Sequence, residues 1–172
     1  IEAGDFYELN YCNEFYAEGE SINPLQTFIH LNESAKAPFS SYFKHGDKYL
    51  LCASPERFMK KEGAKLISQP IKGTIRKGAT AEETAQLKQQ LQNDIKERAE
   101  NVMIVDLVRN DLARSCKPGT VKVEELFGVY EFNTVQQMIS TVVGEMRDEV
   151  HFSDAIKHAF PMGSMTGAPK VM

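Results

Sequence analysis

Residues 80–114, TAEETAQLKQQLQNDIKERAENVMIVDLVRNDLAR, run without a glycine or a proline. Leu87, Leu91, Ile95, Ala99, Met103 and Leu107 recur every four residues, with polar residues between them. Side chains at that spacing lie along one side of an α-helix. Thr80 and Glu83 add a capping-box signature at its start. The pattern predicts one long amphipathic helix, which needs an apolar surface to pack against.

The sequence before it reads as strands. SSYFKHGDKYLLCAS places His45-Gly46-Asp47 between two aromatic-rich runs, a hairpin signal. RFMKKEGAKLIS repeats the pattern around Glu62-Gly63. Residues 1–20 predict an acidic turn and then an aromatic strand-like stretch. Asn23 and Pro24 open a helix over 21–33, as cap and first helical residue. Beyond the long helix, KPGTVKVEELFGVYEF predicts a turn and a strand, and VQQMISTVVGEM another strand. HFSDAIKHAF predicts a short helix, and PMGSMTGAPK a glycine-rich turn. Strands segregated from a few helices indicate the α+β class.

Composition narrows the function. The formal net charge of −4, without a basic stripe, argues against nucleic acid and anionic membranes as partners. Cys12, Cys52 and Cys116 form no CxxC pair, which fits a reducing compartment and a cytoplasmic protein. No apolar run is long enough to span a bilayer. The chain opens on Ile1 and stops after GAPKVM, which suggests a fragment of a longer protein.

Four places offer chemistry. Glu97 and Glu100 lie three apart, so they share a helix face and can hold a hard cation such as Mg²⁺. A solvated face with Lys96 and Arg98 as counter-charges accounts for the same residues. Glu56, at a strand end in ASPERF, can act as a general acid if burial raises its pKa; a loop glutamate paired with Arg57 is the plainer reading. In FPMGSMTGAPK, Gly163, Ser164, Thr166 and Gly167 let backbone N–H groups approach an anion, or form an ordinary loop. Lys72 sits between Pro70 and Gly73. A desolvated lysine becomes a nucleophile, whereas an outward one guards a strand edge.

Together, IEAGDFYELN, ASPERF, QPIKGT, ERAENVMIVDLVRNDL, PGTVKV and FPMGSMTGAPK resemble, in order and spacing, the chorismate-utilising enzymes. The resemblance runs from the first residue to the last. It implies an α+β fold of large antiparallel sheets in two layers, a β-sandwich with outer helices and a pocket between the sheets. Residues 1–172 would be a partial chorismate-binding catalytic domain, lacking an N-terminal region and a C-terminal third, and inactive alone. As a separate piece it would expose an apolar sheet face.

In this family a lysine before the GT, where other branches carry alanine, marks the branch that aminates chorismate to 4-amino-4-deoxychorismate for para-aminobenzoate and folate. The resemblance makes Lys72 the nucleophile at C2 and Glu56 the acid that protonates the C4 oxygen. Ammonia then adds at C4 and expels the lysine. Gly73, Thr74 and Ser164 match substrate-binding positions. Glu100 matches a Mg²⁺ ligand and Glu97 its water-mediated helper. Gln137 stands where many members carry histidine. Glutamine can hydrogen-bond but cannot exchange a proton near pH 7, so Gln137 is expected only to contact substrate. A glutamine amidotransferase subunit would supply the ammonia. Anthranilate or salicylate and isochorismate formation are the alternatives within the family. A catalytically silent partner-binding domain is the alternative outside it.

Overall fold

The computed structural model describes residues 6–170, so the start of the expected acidic turn lies outside the described residues. In chain order the elements are β1 (Glu8–Leu9), α1 (Pro24–Ala35), β2 (Phe39–His45), β3 (Lys48–Ser54), β4 (Arg57–Glu62), β5 (Lys65–Gln69) and β6 (Ile71–Arg76). They continue with α2 (Ala81–Asn93), α3 (Ile95–Ala113), β7 (Lys122–Glu131), β8 (Val135–Glu145), α4 (Phe152–Ala159), α5 (Gly163–Thr166) and β9 (Gly167–Ala168). The paired strands are antiparallel, and the class is α+β as expected.

The single long helix is two. Asp94 leaves the helical region at φ −67° and ψ 117°, and its carboxylate accepts the Glu97 N–H at 3.0 Å. Asp94-x-x-Glu97 is itself a cap signature inside the apparent helix. The four-residue period hides it. At 3.6 residues per turn, such a stripe drifts about 40° with each repeat. Leu91 is therefore 3% exposed and Ile95 86%. The buried side of α3 is instead Asn101, Ile104, Val105, Val108, Asp111 and Leu112. At the start of α2 the Thr80 hydroxyl accepts the Glu83 N–H at 3.1 Å, as a capping box requires. The Glu83 carboxylate returns to the N–H of Ala79, at 2.7 Å, one residue earlier than the motif implies.

The chain forms two compact units. One comprises residues up to 10 together with 58 onward. Its sheet has five strands around β8. β7 follows one edge of β8; β5 and β6 share the other, pairing with residues 142–145 and 135–139. Buried Pro70 divides β5 from β6, and its carbonyl still accepts the Ser140 N–H at 3.2 Å. β4 lies outside β5.

Alternation along β8 separates two faces. Gln136, Met138, Ser140 and Val142 are buried, whereas Val135, Gln137, Ile139 and Thr141 are half-exposed. Leu66, Ile104, Val105, Val108, Leu112, Cys116, Val142 and Ala155 form the main core. Burial of each large aliphatic side chain there contributes about 2 kcal/mol. Leu91, Val129 and Met138 form a smaller one.

The other unit, Tyr11–Arg57, holds α1 and the β2–β3 hairpin. Asn23 caps α1 by accepting the Gln26 N–H at 3.1 Å, with Pro24 in the first turn as expected. The Phe28, Tyr42 and Tyr49 rings meet in sequence in tilted contacts, with centroids 5.6 and 6.2 Å apart. The expected aromatic strand before α1 does not form. The strand there is only β1, and Tyr11, Phe15 and Tyr16 are exposed without a ladder. Aromatic content marks a surface to be covered, but a strand also needs a neighbouring edge.

Candidate active site

Lys72 occupies a β-bulge. Ile71 pairs with Ile139 and Thr74 with Gln137, so Lys72 and Gly73 together face the one intervening residue, Met138. A bulge of this kind bends the strand and re-aims its side chains. Gly73 makes it possible: its φ is +98°, and a Cβ there would sit 3.2 Å from Glu97 Oε2 and 3.3 Å from Leu91 Cδ1. The position calls for glycine both by conformation and by space.

A buried polar chain holds the bulge from behind. Asn101 Nδ2 donates to the Lys72 carbonyl at 3.4 Å, and Ser140 Oγ donates to Asn101 Oδ1 at 2.5 Å. Ser140 Oγ also accepts the Phe127 N–H at 3.1 Å. Phe127 has φ +61° and lies in a second irregularity, between Glu125 and Gly128 of β7. One helix side chain and one strand side chain thus steady the Lys72–Gly73 bulge and the irregularity at Phe127, on opposite sides of β8. Sequence reading missed Asn101 and Ser140. The available signal was a polar residue in phase with the buried side of α3.

The Lys72 ammonium pairs with the Glu8 carboxylate, which sequence reading also missed. The two side chains are 19% and 16% exposed. Glu8 Oε2 is buried without a hydrogen-bond partner. Glu8 is fixed by the β1–β9 ladder, in which it faces Ala168, and by the bond from Tyr7 N–H to the Ala168 carbonyl at 2.7 Å. Nearby, Asn10 Nδ2 donates to the Ser164 carbonyl at 3.1 Å, and Ser164 Oγ is buried without a partner. The expected glycine-rich turn is therefore the short helix α5 followed by β9. It presents Ser164 beside the strand that holds Lys72's partner.

Thr74, Gln137 and Tyr130 lie in register across β6, β8 and β7 and share one face. Thr74 is exposed and Gln137 half-buried. Glu97 and Glu100 stand in the first turns of α3, both half-buried, with Glu97 against Gly73 and Glu100 3.5 Å from the Lys96 ammonium. Carboxylate oxygens suit Mg²⁺, which takes six oxygen ligands. Among the described residues no group of three or more acidic, histidine or cysteine side chains gathers around a common point. Glu97 and Glu100 would supply two carboxylates to a magnesium site, with water or substrate completing it.

Glu56 lies in the turn before β4, in the unit Tyr11–Arg57. Ser54 Oγ accepts its N–H at 3.3 Å and donates to its carbonyl at 3.1 Å, fixing the turn that carries the carboxylate.

A second lysine–carboxylate pair was not foreseen. Lys170 Nζ lies 2.7 Å from Asp111 Oδ2 and donates to the Ala159 carbonyl at 2.5 Å. Both side chains are 8% exposed. Burial pushes the Asp111 carboxyl above its usual range, against the pull of Lys170. The pair ties the residues after β9 to α3. A groove of about 610 Å³ lined by Lys65, Thr120, Lys122 and Glu124 lies at another part of the sheet and contains none of the expected site residues.

The chain is a member of the chorismate binding enzyme family, whose model matches residues 1–172. It is 43% identical over 171 residues to aminodeoxychorismate synthase component 1 of Salmonella typhimurium, covering 99% of this chain and 37% of that protein. It is also 40% identical over 147 residues to anthranilate synthase component 1 of Spirochaeta aurantia, covering 86% of this chain and 30% of that one. The crystal structure of anthranilate synthase component I from Streptococcus pneumoniae superposes with a TM-score of 0.74 at 31% identity, over 88% of this chain and 33% of that one. The chain thus spans less than two-fifths of the length of these relatives.

Proposed function

We propose that the full-length protein aminates chorismate at C4 to give 4-amino-4-deoxychorismate. The observation that carries this reading is Lys72, set in a bulge, paired with Glu8 and followed by Gly73, which lies against Glu97. Its amine forms a bond to C2 of the ring. The double-bond electrons shift, the C4–O bond breaks, and Glu56 protonates the departing oxygen, which leaves as water. Ammonia then forms the C4–N bond, the electrons shift back, and the lysine is expelled from C2. The covalent detour directs the new amine to C4.

Gly73, Thr74, Gln137 and Ser164 would contact the substrate. Glu100 and, through water, Glu97 would hold Mg²⁺, whose charge offsets that of the substrate carboxylate. Ammonia would come from a glutamine amidotransferase subunit. The scattered free cysteines favour a cytoplasmic setting. Among the described residues no helix is long and apolar enough to cross a membrane.

Formation of anthranilate is the second reading, favoured by the 40% identity to the Spirochaeta aurantia enzyme. Incubating the full-length protein with chorismate, Mg²⁺ and ammonia and separating the products by chromatography decides between them. Aminodeoxychorismate supports the first reading, and anthranilate replaces it with the second.

A further inference from the structure

A lysine can attack carbon only after it has lost a proton. In this protein the amine is held by a carboxylate that no motif assigned to the reaction. Glu8 pairs with Lys72, and its side chain is as sheltered as the lysine's. Its Oε2 is buried and has no donor. The Asp111–Lys170 pair differs: no side-chain atom of either residue is buried without a partner, and Lys170 has a second acceptor in Ala159. A purely structural pair gains from such completion. A carboxylate with one oxygen on the nucleophile and the other free keeps capacity to accept a proton. The β1–β9 ladder and the Asn10–Ser164 bond hold the Glu8 backbone in place independently of the charge of Lys72.

We infer that Glu8 is the base that activates Lys72. This rests on the reading of Lys72 as nucleophile. In the first half-reaction Glu8 takes one proton from the Lys72 ammonium. The freed lone pair forms the N–C2 bond while the C4–O bond breaks and Glu56 protonates the oxygen. The adduct nitrogen then carries two hydrogens and a positive charge. In the second half-reaction ammonia bonds to C4, and the C2–N bond breaks with its electrons returning to nitrogen. Lys72 leaves as a neutral amine and recovers its proton from Glu8. The proton that Glu56 gave to water is replaced by the one released when ammonium becomes ammonia.

The test uses the full-length enzyme with chorismate and Mg²⁺ but without ammonia, so that the reaction stops at the adduct. Mass spectrometry follows the mass gained by the peptide containing Lys72. Wild type should form the adduct. Glu8→Gln, nearly isosteric but unable to take the proton, should form it about 100-fold more slowly. In steady state with ammonia, kcat should fall while KM for chorismate stays within about threefold. Glu8→Ala should be slow too, and added formate should restore its adduct rate in proportion to concentration; that gain cannot come from a misfolded variant. An adduct in Glu8→Gln at the wild-type rate, a change confined to KM, or no response of Glu8→Ala to formate overturns the role of Glu8 alone. Absence of any adduct in wild type overturns the reading of Lys72, and the base role with it.

Discussion

The two sheltered lysine–carboxylate pairs have the same chemical groups and opposite designs. Asp111–Lys170 is 8% exposed on both sides, and the lysine has a backbone carbonyl as well. It joins α3 to the residues just after β9. Lys72–Glu8 is about twice as exposed, lies at a bulge and leaves a carboxylate oxygen without a donor. The comparison teaches that burial alone does not separate an anchor from the pair proposed to react. What separates them is that Glu8 Oε2 is buried without a donor, whereas no side-chain atom of the first pair is so left. Removing one member of the first should cost stability; removing one of the second should cost turnover.

The largest test is Lys72→Ala in the full-length enzyme. Aminodeoxychorismate formation should fall at least about 1,000-fold, because the proposed covalent nucleophile is lost. The mass increase on the Lys72 peptide should disappear, and some substrate should be diverted to a C2-aminated product. Near-normal product with no adduct in wild type would make Lys72 a strand-edge charge and erase the contrast.

Next is Glu100→Gln, read by titrating activity with Mg²⁺. The half-saturating concentration should rise by about 10-fold or more for this variant and by less for Glu97→Gln, since in the proposed site Glu100 is the direct ligand and Glu97 acts through water. If both titrate like wild type, the glutamates are a solvated helix face.

The anchor pair is tested by Lys170→Met. Denaturant unfolding should show a loss of about 3 kcal/mol, because Asp111 is left buried and uncompensated. The sign with pH sharpens this. Burial already raises the Asp111 pKa above 3.8, and without Lys170 it rises further. A raised pKa means that the folded state holds the proton more tightly. The associated stability is full below the unfolded value and is lost as pH rises through the folded one. The variant should therefore be closer to wild type in mild acid than at pH 8.

The smallest effect belongs to an exposed counterpart, Glu83 with Arg76, 2.5 Å apart. The Ala79 N–H, and then Arg76, hold the Glu83 carboxyl below its usual range. Its stabilisation is present above the unfolded pKa and lost as pH falls through the folded one. Glu83→Gln should lower Tm slightly at neutral pH and not at all in strong acid. A loss as large as that of Lys170→Met would show that exposure does not order these pairs.

Much of the fold could be read directly. The hairpin turns at Gly46 and Gly63, the Asn23–Pro24 helix start and the strands β7 and β8 are local choices of residues with restricted backbones or regular alternation. The break at Asp94 was also local, but a drifting four-residue stripe masked it. At the site, Lys72, Gly73, Glu97, Glu100 and Ser164 stood out through motifs. Asn101, Ser140, Glu8, Asp111 and Lys170 did not.

The sequence by itself determined most of the helix and strand segments, because turns, caps and alternation act over a few residues. It also carried enough ordered motif to establish the family. The tertiary structure alone decided that Glu8 meets Lys72 across 64 positions, and that Asp111 meets Lys170 across 59. Such pairings have no local signature. They arise because sheet register and helix packing bring distant polar groups out of water together, where each must find a partner or remain unsatisfied.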